Sequence, residues 1–220
     1  MALVGFFDIL GTKSAISSGR FSDLTSLDFA GPASIAAKLI PTIRVSIFSD
    51  SVVVSAETGN YIDFLKAISL MYGQWWADFI LVRGGIAEGE ISWVDHEPID
   101  AKFRSCKNLS CSRVYGEGLV SAYETEQRSG PGAIPYSTEM AARSLSEVEE
   151  SSVLQGVTPM LCWASQKRAE LMLKYASLNL DHEAQQGNGR RHALATRSYW
   201  EQVIEKKKFL PDEFDIIPMA

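Results

Sequence analysis

The run Ala2-Leu-Val-Gly-Phe-Phe7 is apolar throughout and stops at a carboxylate, Asp8, with Gly11 and Thr12 just beyond. A short apolar run that ends in turn residues suits a buried strand emptying into a turn, and it places Asp8 at the strand's carboxyl end. A second segment, Ile43-Arg-Val-Ser-Ile47, alternates apolar and polar side chains, and Val52-Val-Val54 follows directly after Ser49-Asp50-Ser51. That pattern predicts a hairpin with Asp50 at its tip. Two carboxylates therefore stand at two strand ends.

From Tyr61 to Phe79 the apolar positions Ile62, Leu65, Ile68, Tyr72, Trp75 and Phe79 recur at spacings of three and four, the period of one helix face, and such a helix should cover a sheet. Ile80-Leu-Val82 and Gly85-Ile86-Ala87 predict a further strand. Gly118 to Gln127 suits a helix, and Gly130-Pro-Gly132 marks a break before another short extended piece. Ser165 to Leu180 and Ala193 to Lys208 predict two more helices, separated by a loop at Gln185-Gln-Gly-Asn-Gly189, with Lys206-Lys-Lys208 as a solvated helix end. Strands alternating with helices indicate an α/β or α+β layer fold.

With 220 residues, 46% of them hydrophobic, the chain can bury a core of its own. A net charge of -6 argues against nonspecific binding of nucleic acid, because a polyanion responds to summed positive field. A small polyanionic ligand would need local help, most simply a metal ion. Three cysteines, Cys106, Cys111 and Cys162, leave one unpaired in any disulfide scheme, and the start of the sequence does not resemble a secretory signal, so the expected compartment is a reducing cytoplasm. The most apolar long stretch, Tyr61 to Val82, contains Asp63, Lys66 and Asp78, a poor composition for a membrane span, and no membrane anchor is expected.

Four segments carry a resemblance. Phe6-Phe-Asp-Ile-Leu-Gly-Thr12 resembles the first metal motif of the class III nucleotide cyclases, and Phe48-Ser-Asp50 resembles the second, with Ser49 where the family usually has glycine. Val82-Arg-Gly-Gly-Ile-Ala-Glu-Gly89 resembles the strand and turn that come next, and Tyr115-Gly-Glu-Gly-Leu-Val-Ser-Ala122 the start of the following helix. Each motif alone is common, and their shared order over residues 3–127 carries the weight. The resemblance implies a ferredoxin-like cyclase domain with a central mixed or antiparallel sheet over residues 1–160. Residues 161–220 would be a helical C-terminal extension packed on the same domain. It also implies two manganese or magnesium ions held by Asp8, Asp50 and the Ile9 carbonyl. Gly11, Thr12 and Lys13 would meet the β- and γ-phosphates, and a head-to-tail homodimer would share each active site between subunits. Oxygen ligands suit these ions, which bind through one or two carboxylates plus substrate phosphates. The plain alternative for Asp8 is a helix cap in an ordinary turn.

The chain departs from the family's purine readers. Ser46 stands where purine cyclases carry a base-reading lysine, and Arg113 where they carry a base-reading acidic residue. Val120 and Glu124 replace the asparagine and arginine that serve the transition state, and a register two residues on gives Ala122 and Glu126. Either activity has been lost or another base is used. The Gly118-Leu-Val-Ser-Ala-Tyr-Glu124 segment is similar to the pyrimidine cyclases of bacterial antiphage signalling, which implies UTP or CTP as substrate and a cyclic pyrimidine second messenger. Arg113 offers donors and no acceptor, which favours the two carbonyls of uracil, unless it simply pairs with a surface carboxylate. Tyr115 or Tyr123 would narrow a base pocket or serve ordinary packing.

Other signals carry less. Cys106 and Cys111 with Asp95 and His96 lack the paired spacing of a zinc site. The three histidines, His96, His182 and His192, come without a Gly-x-Ser-x-Gly elbow. The glycines of 83–89 lack the surroundings of a dinucleotide fingerprint, and backbone packing explains them.

Overall fold

Every side chain of β1 (Ala2–Ile9) is buried except that of Asp8, which is half-buried. The computed structural model describes residues 1–17, 19, 28–94, 113–183 and 188–215. Its further strands are β2 (Ile43–Phe48), β3 (Ser51–Glu57), β4 (Val82–Gly89), β5 (Ser92–Val94), β6 (Arg113–Tyr115), β7 (Pro135–Ser137), β8 (Val153–Leu154) and β9 (Met160–Leu161). Seven of them form one mixed sheet in the order β2-β3-β1-β4-β7-β9-β8, while β5 and β6 pair apart. The strand β1 owes its burial to its place inside this sheet, antiparallel to β3 on one side and to β4 on the other. The parallel pair in the sheet is β4 with β7.

The helices are α1 (Thr12–Ser17), α2 (Ala30–Leu39), α3 (Tyr61–Ala77), α4 (Glu117–Arg128), α5 (Glu139–Val148), α6 (Gln166–Glu183) and α7 (Asn188–Glu205). Strand alternation splits β1 between two cores. Leu3, Phe7 and Ile9 join a large cluster with α2, α3 and the C-terminal helices, while Ala2, Val4 and Phe6 join a smaller one with Val53, Ala87 and Ala122 of α4. The sheet is therefore covered on both faces, with α4 alone among the described helices contributing buried residues to the second cluster.

Helix α3 differs in detail from the single face that its periodicity predicts. It ends at Ala77, leaving Phe79 71% exposed, and its buried set also takes in Phe64, Ala67, Leu70, Met71 and Trp76. The reason is its position: sheet on one side, C-terminal residues on the other. Trp76 meets Trp200 edge-on, Tyr72 leans on Trp163, and Trp75 stacks on Phe29 at 5.0 Å while its Nε1 donates to the Phe29 carbonyl at 2.9 Å. Around Trp163 and Trp200, Tyr199 donates its hydroxyl to the Leu161 carbonyl, and Arg168 pairs with Asp215 at 3.2 Å.

The lysine run is partly engaged, since Lys208 donates from Nζ to the Glu150 carbonyl at 3.0 Å. Cys162 is fully buried and burial pushes its thiol up to about 12, so it packs as a small apolar group. Cys106, Cys111, Asp95 and His96 lie outside the described residues, as do residues 185–187 of the expected loop, whereas Asn188 and Gly189, expected in that loop, begin α7. No described helix is long and apolar enough to cross a membrane.

Candidate functional site

The two carboxylates of interest meet at one end of the sheet. Asp8 is the cross-strand partner of Ser51 on one side and of Arg83 on the other. Asp50 occupies the two-residue turn between β2 and β3, immediately before Ser51. The Ser51 hydroxyl donates to Asp8 Oδ1 at 2.9 Å, and the Ile9 N–H donates to the Asp50 carbonyl at 3.2 Å, tying the hairpin tip to the end of β1. Ser49 takes a φ of +57°, the left-handed conformation that glycine adopts without a Cβ penalty, which gives a physical reason for glycine at this position in the cyclases it resembles.

Beyond Ile9 the chain turns at Gly11, whose φ is +89°, and α1 begins at Thr12. Thr12 donates from Oγ1 to the Ile9 carbonyl at 3.1 Å. Asp8, Ile9, Gly11, Thr12 and Lys13 thus follow one another around a single corner that also holds Asp50. Burial pushes the Asp8 carboxyl up to about 6. The Ser51 hydrogen bond opposes the rise, the charges of Asp50 and Glu126 add to it, and Arg83 opposes it weakly. An excess of negative field at a half-buried carboxylate is a setting that a divalent cation would relieve. Among the described residues no group of three or more His, Cys, Asp or Glu is placed to hold a metal, and carbonyl, phosphate and water oxygens suit the remaining positions of a hard divalent ion held by two carboxylates.

Ser46 lies on the same sheet face as Asp8, in the neighbouring row: Ser46 partners Val53, and Val53 partners Phe6. Arg113 lies elsewhere. It starts β6, which pairs with β5 just after the Gly89 end of β4, and Gly89 is the partner of Ala2. Asp8 and Ala2 mark opposite ends of β1, a run of roughly 20 Å at strand rise, and the Arg113 hairpin follows from the Ala2 end through Gly89, with Trp93 of that hairpin donating its Nε1 to Ser55 Oγ at 3.1 Å. The Arg113 guanidinium sits 6.0 Å from the Tyr115 ring. On α4, Val120 is 57% exposed and Glu124 pairs with Arg128 at 3.3 Å, so both face outward. Tyr123 packs edge-on against Phe6 at 5.3 Å, and Phe48 lies 6.3 Å from the same ring.

Three further residues stand beside Asp8, namely Ser51, Arg83 and Glu126, and no local sequence pattern marks them as its neighbours. Glu126 is fully buried on α4, and its Oε1 accepts from Arg83 Nε at 2.5 Å while Arg83 Nη2 pairs with the same oxygen. Arg83 and Glu126 both fall inside or next to the quoted motifs, yet only the pairing of β1 with β4 brings them to Asp8.

Neither a family model nor a curated protein sequence matches this chain. Solved structures do match in fold. A monomeric guanylyl cyclase domain of the RhoGC fusion protein from the aquatic fungus Blastocladiella emersonii aligns over 74% of this chain and 94% of its own, at 12% identity and a TM-score of 0.54. The catalytic core of a rhodopsin-guanylyl cyclase with converted specificity, in complex with ATPαS, aligns over 73% and 93% at 12% identity with a TM-score of 0.52. A bacterial light-regulated adenylyl cyclase aligns over 72% and 88% at 10% identity with a TM-score of 0.50. The mixed sheet and its helices match the cyclase domain fold.

Proposed function

We propose that this chain is a nucleotide cyclase that converts a pyrimidine nucleoside triphosphate, UTP in preference to CTP, into its 3′,5′-cyclic monophosphate and pyrophosphate. The observation that carries this reading is the convergence of Asp8 and Asp50 at one corner of a cyclase-type sheet, tied by the Ile9 N–H to the Asp50 carbonyl. The donor set fits hard divalent ions: Asp8, Asp50 and the Ile9 carbonyl would hold two manganese or magnesium ions per site. When bound, such ions lower the pKa of a ribose 3′-hydroxyl and neutralise charge on the α-phosphate and the departing pyrophosphate.

The chain's own groups do the rest. Backbone N–H groups at Gly11, Thr12 and Lys13 would hold the β- and γ-phosphates at the turn into α1. The 3′-hydroxyl gives its proton to water, and its oxygen forms the bond to the α-phosphorus as the bond to pyrophosphate breaks. Ser46 leaves room where purine cyclases place lysine, and Arg113 donates to base carbonyls, of which uracil has two and cytosine one. In the cyclases that the chain resembles, one subunit holds the metals and its partner meets the other face of the substrate, and on that resemblance Asp8 and Arg113 act on one substrate from two copies of the chain. A head-to-tail homodimer supplies that arrangement. The segment Gly118–Glu124 resembles antiphage pyrimidine cyclases, and on that resemblance the product serves as a cytoplasmic second messenger in antiviral defence.

Incubation of the purified protein with ATP, GTP, CTP and UTP in turn, each with Mn2+, followed by chromatography, tests the proposal. Cyclic UMP or cyclic CMP is the expected product, and a cyclic purine would overturn the base assignment. No product from a folded dimer would support a second reading, a nucleotide-binding module without chemistry. The outward Val120 and the Glu124–Arg128 pair favour that reading, because they stand where related cyclases carry transition-state donors.

A further inference from the structure

Asp8 and Arg83 are direct partners across β1 and β4, and neighbours in an antiparallel pair hold their Cβ atoms about 5 Å apart. Opposite charges so placed normally bond each other. Here the guanidinium turns away: its Nε and Nη2 both engage Glu126 Oε1, on the helix that packs over this strand. Glu126 is fully buried, an expensive place for a carboxylate unless it is paired. It is held there by α4, which lies so close to β4 that a Cβ on Gly85 would overlap the Ala122 carbonyl and the Glu126 amide. Among the described residues, Asp8 is left with the Ser51 hydroxyl as its side-chain donor.

We infer that Glu126 is a positioning residue for the metal site: by binding Arg83 it keeps the guanidinium off Asp8 and leaves that carboxylate open to a divalent cation. The inference rests on the reading of Asp8 as a metal ligand. Two effects act in the same direction. With Glu126 present, the Arg83–Glu126 pair shows Asp8 one positive and one negative charge. Without the Glu126 anion, Arg83 is an uncompensated cation beside the metal position and is free to bond Asp8 directly. A cation at this spacing changes a carboxylate's affinity for positive charge by about tenfold or more.

The test is Mn2+ binding to the whole chain, measured by calorimetry and by the electron paramagnetic signal of free Mn2+. Glu126→Gln is expected to weaken Mn2+ binding about tenfold, and the double variant Arg83→Met/Glu126→Gln is expected to recover it to within about threefold of the unmutated protein. A merely structural pair predicts no such recovery, because the double variant lacks both partners. Unchanged binding in Glu126→Gln, or a double variant as weak as the single, overturns the inference.

Asp8→Ala, run alongside, separates the two readings. If it loses Mn2+ binding while Glu126→Gln does not, only the role of Glu126 falls; if it binds Mn2+ normally, the metal site falls and the role of Glu126 with it. Should Glu126→Gln fail to melt cooperatively, a crystal structure of the unmutated protein with Mn2+ decides. Arg83 on Glu126 with Asp8 on the ion supports the inference, and Arg83 bonded to Asp8 overturns it.

Discussion

Asp8 carries a cost that the sequence does not display. Its carboxyl is pushed up to about 6 from an ordinary 3.8, chiefly by burial. Between those two values the folded protein holds a proton that the unfolded chain has released, so stability is greatest below the lower value and falls as pH rises through the higher one. In metal-free protein, Asp8→Asn should therefore resist urea better than the unmutated chain at pH ~7.5, by roughly 1 kcal/mol once solvent screening of this half-buried group is allowed for. Near pH 4 the advantage should vanish, and added Mn2+ should favour the unmutated chain alone. Urea melts at the two pH values, with and without Mn2+, check this, and equal midpoints throughout would show that the carboxyl is under no such load. The same variant should make no cyclic nucleotide.

At the scale of elements, α4 packs closely on β4. Glycines permit it: Gly85 lies under Ala122 and Glu126, and Gly89 under Gly118. Gly85→Ala has backbone atoms as obstacles, so α4 must lift, and the cost should be about 3 kcal/mol in a denaturant melt, with Mn2+ binding weakened as Glu126 shifts. A melt within about 0.5 kcal/mol of the unmutated protein would contradict the close packing.

The elements that the sequence reveals best are those with long, regular patterns. The apolar β1, the β2–β3 hairpin, α3 and the two C-terminal helices all announce themselves by period or by turn residues. The helix α2 does not, because its buried positions are Pro32, Ala33 and Ala36, too small to stand out as an apolar stripe. The two-residue strands β8 and β9 are shorter than any period. Asp8 and Asp50 are legible because each closes a recognisable strand. Arg83 and Glu126 are not, because register and helix placement, which no local pattern encodes, decide that they meet beside Asp8.

The whole molecule is joined by its aromatic residues. Trp163 and Trp200 stand 5.0 Å apart, Trp200 meets Trp76, and Tyr72 bridges Trp163 to Trp75, so residues from α3 and from the C-terminal region share one core. Trp200→Ala should cost about 4 kcal/mol and should lower the midpoint of a single transition. Two separate transitions in the calorimeter would instead show that the C-terminal helices fold as a unit of their own, against our proposal that residues 161–220 pack on one common domain. The same cluster also has an optical consequence. Four of the five tryptophans belong to it, close enough to exchange excitation, while Trp93 stands on the other face of the sheet with the Arg44 guanidinium 4.9 Å from its ring. Intrinsic emission therefore divides into a blue-shifted part that reports unfolding and a separate colour from Trp93 that reports whatever comes to lie on the Phe6 face.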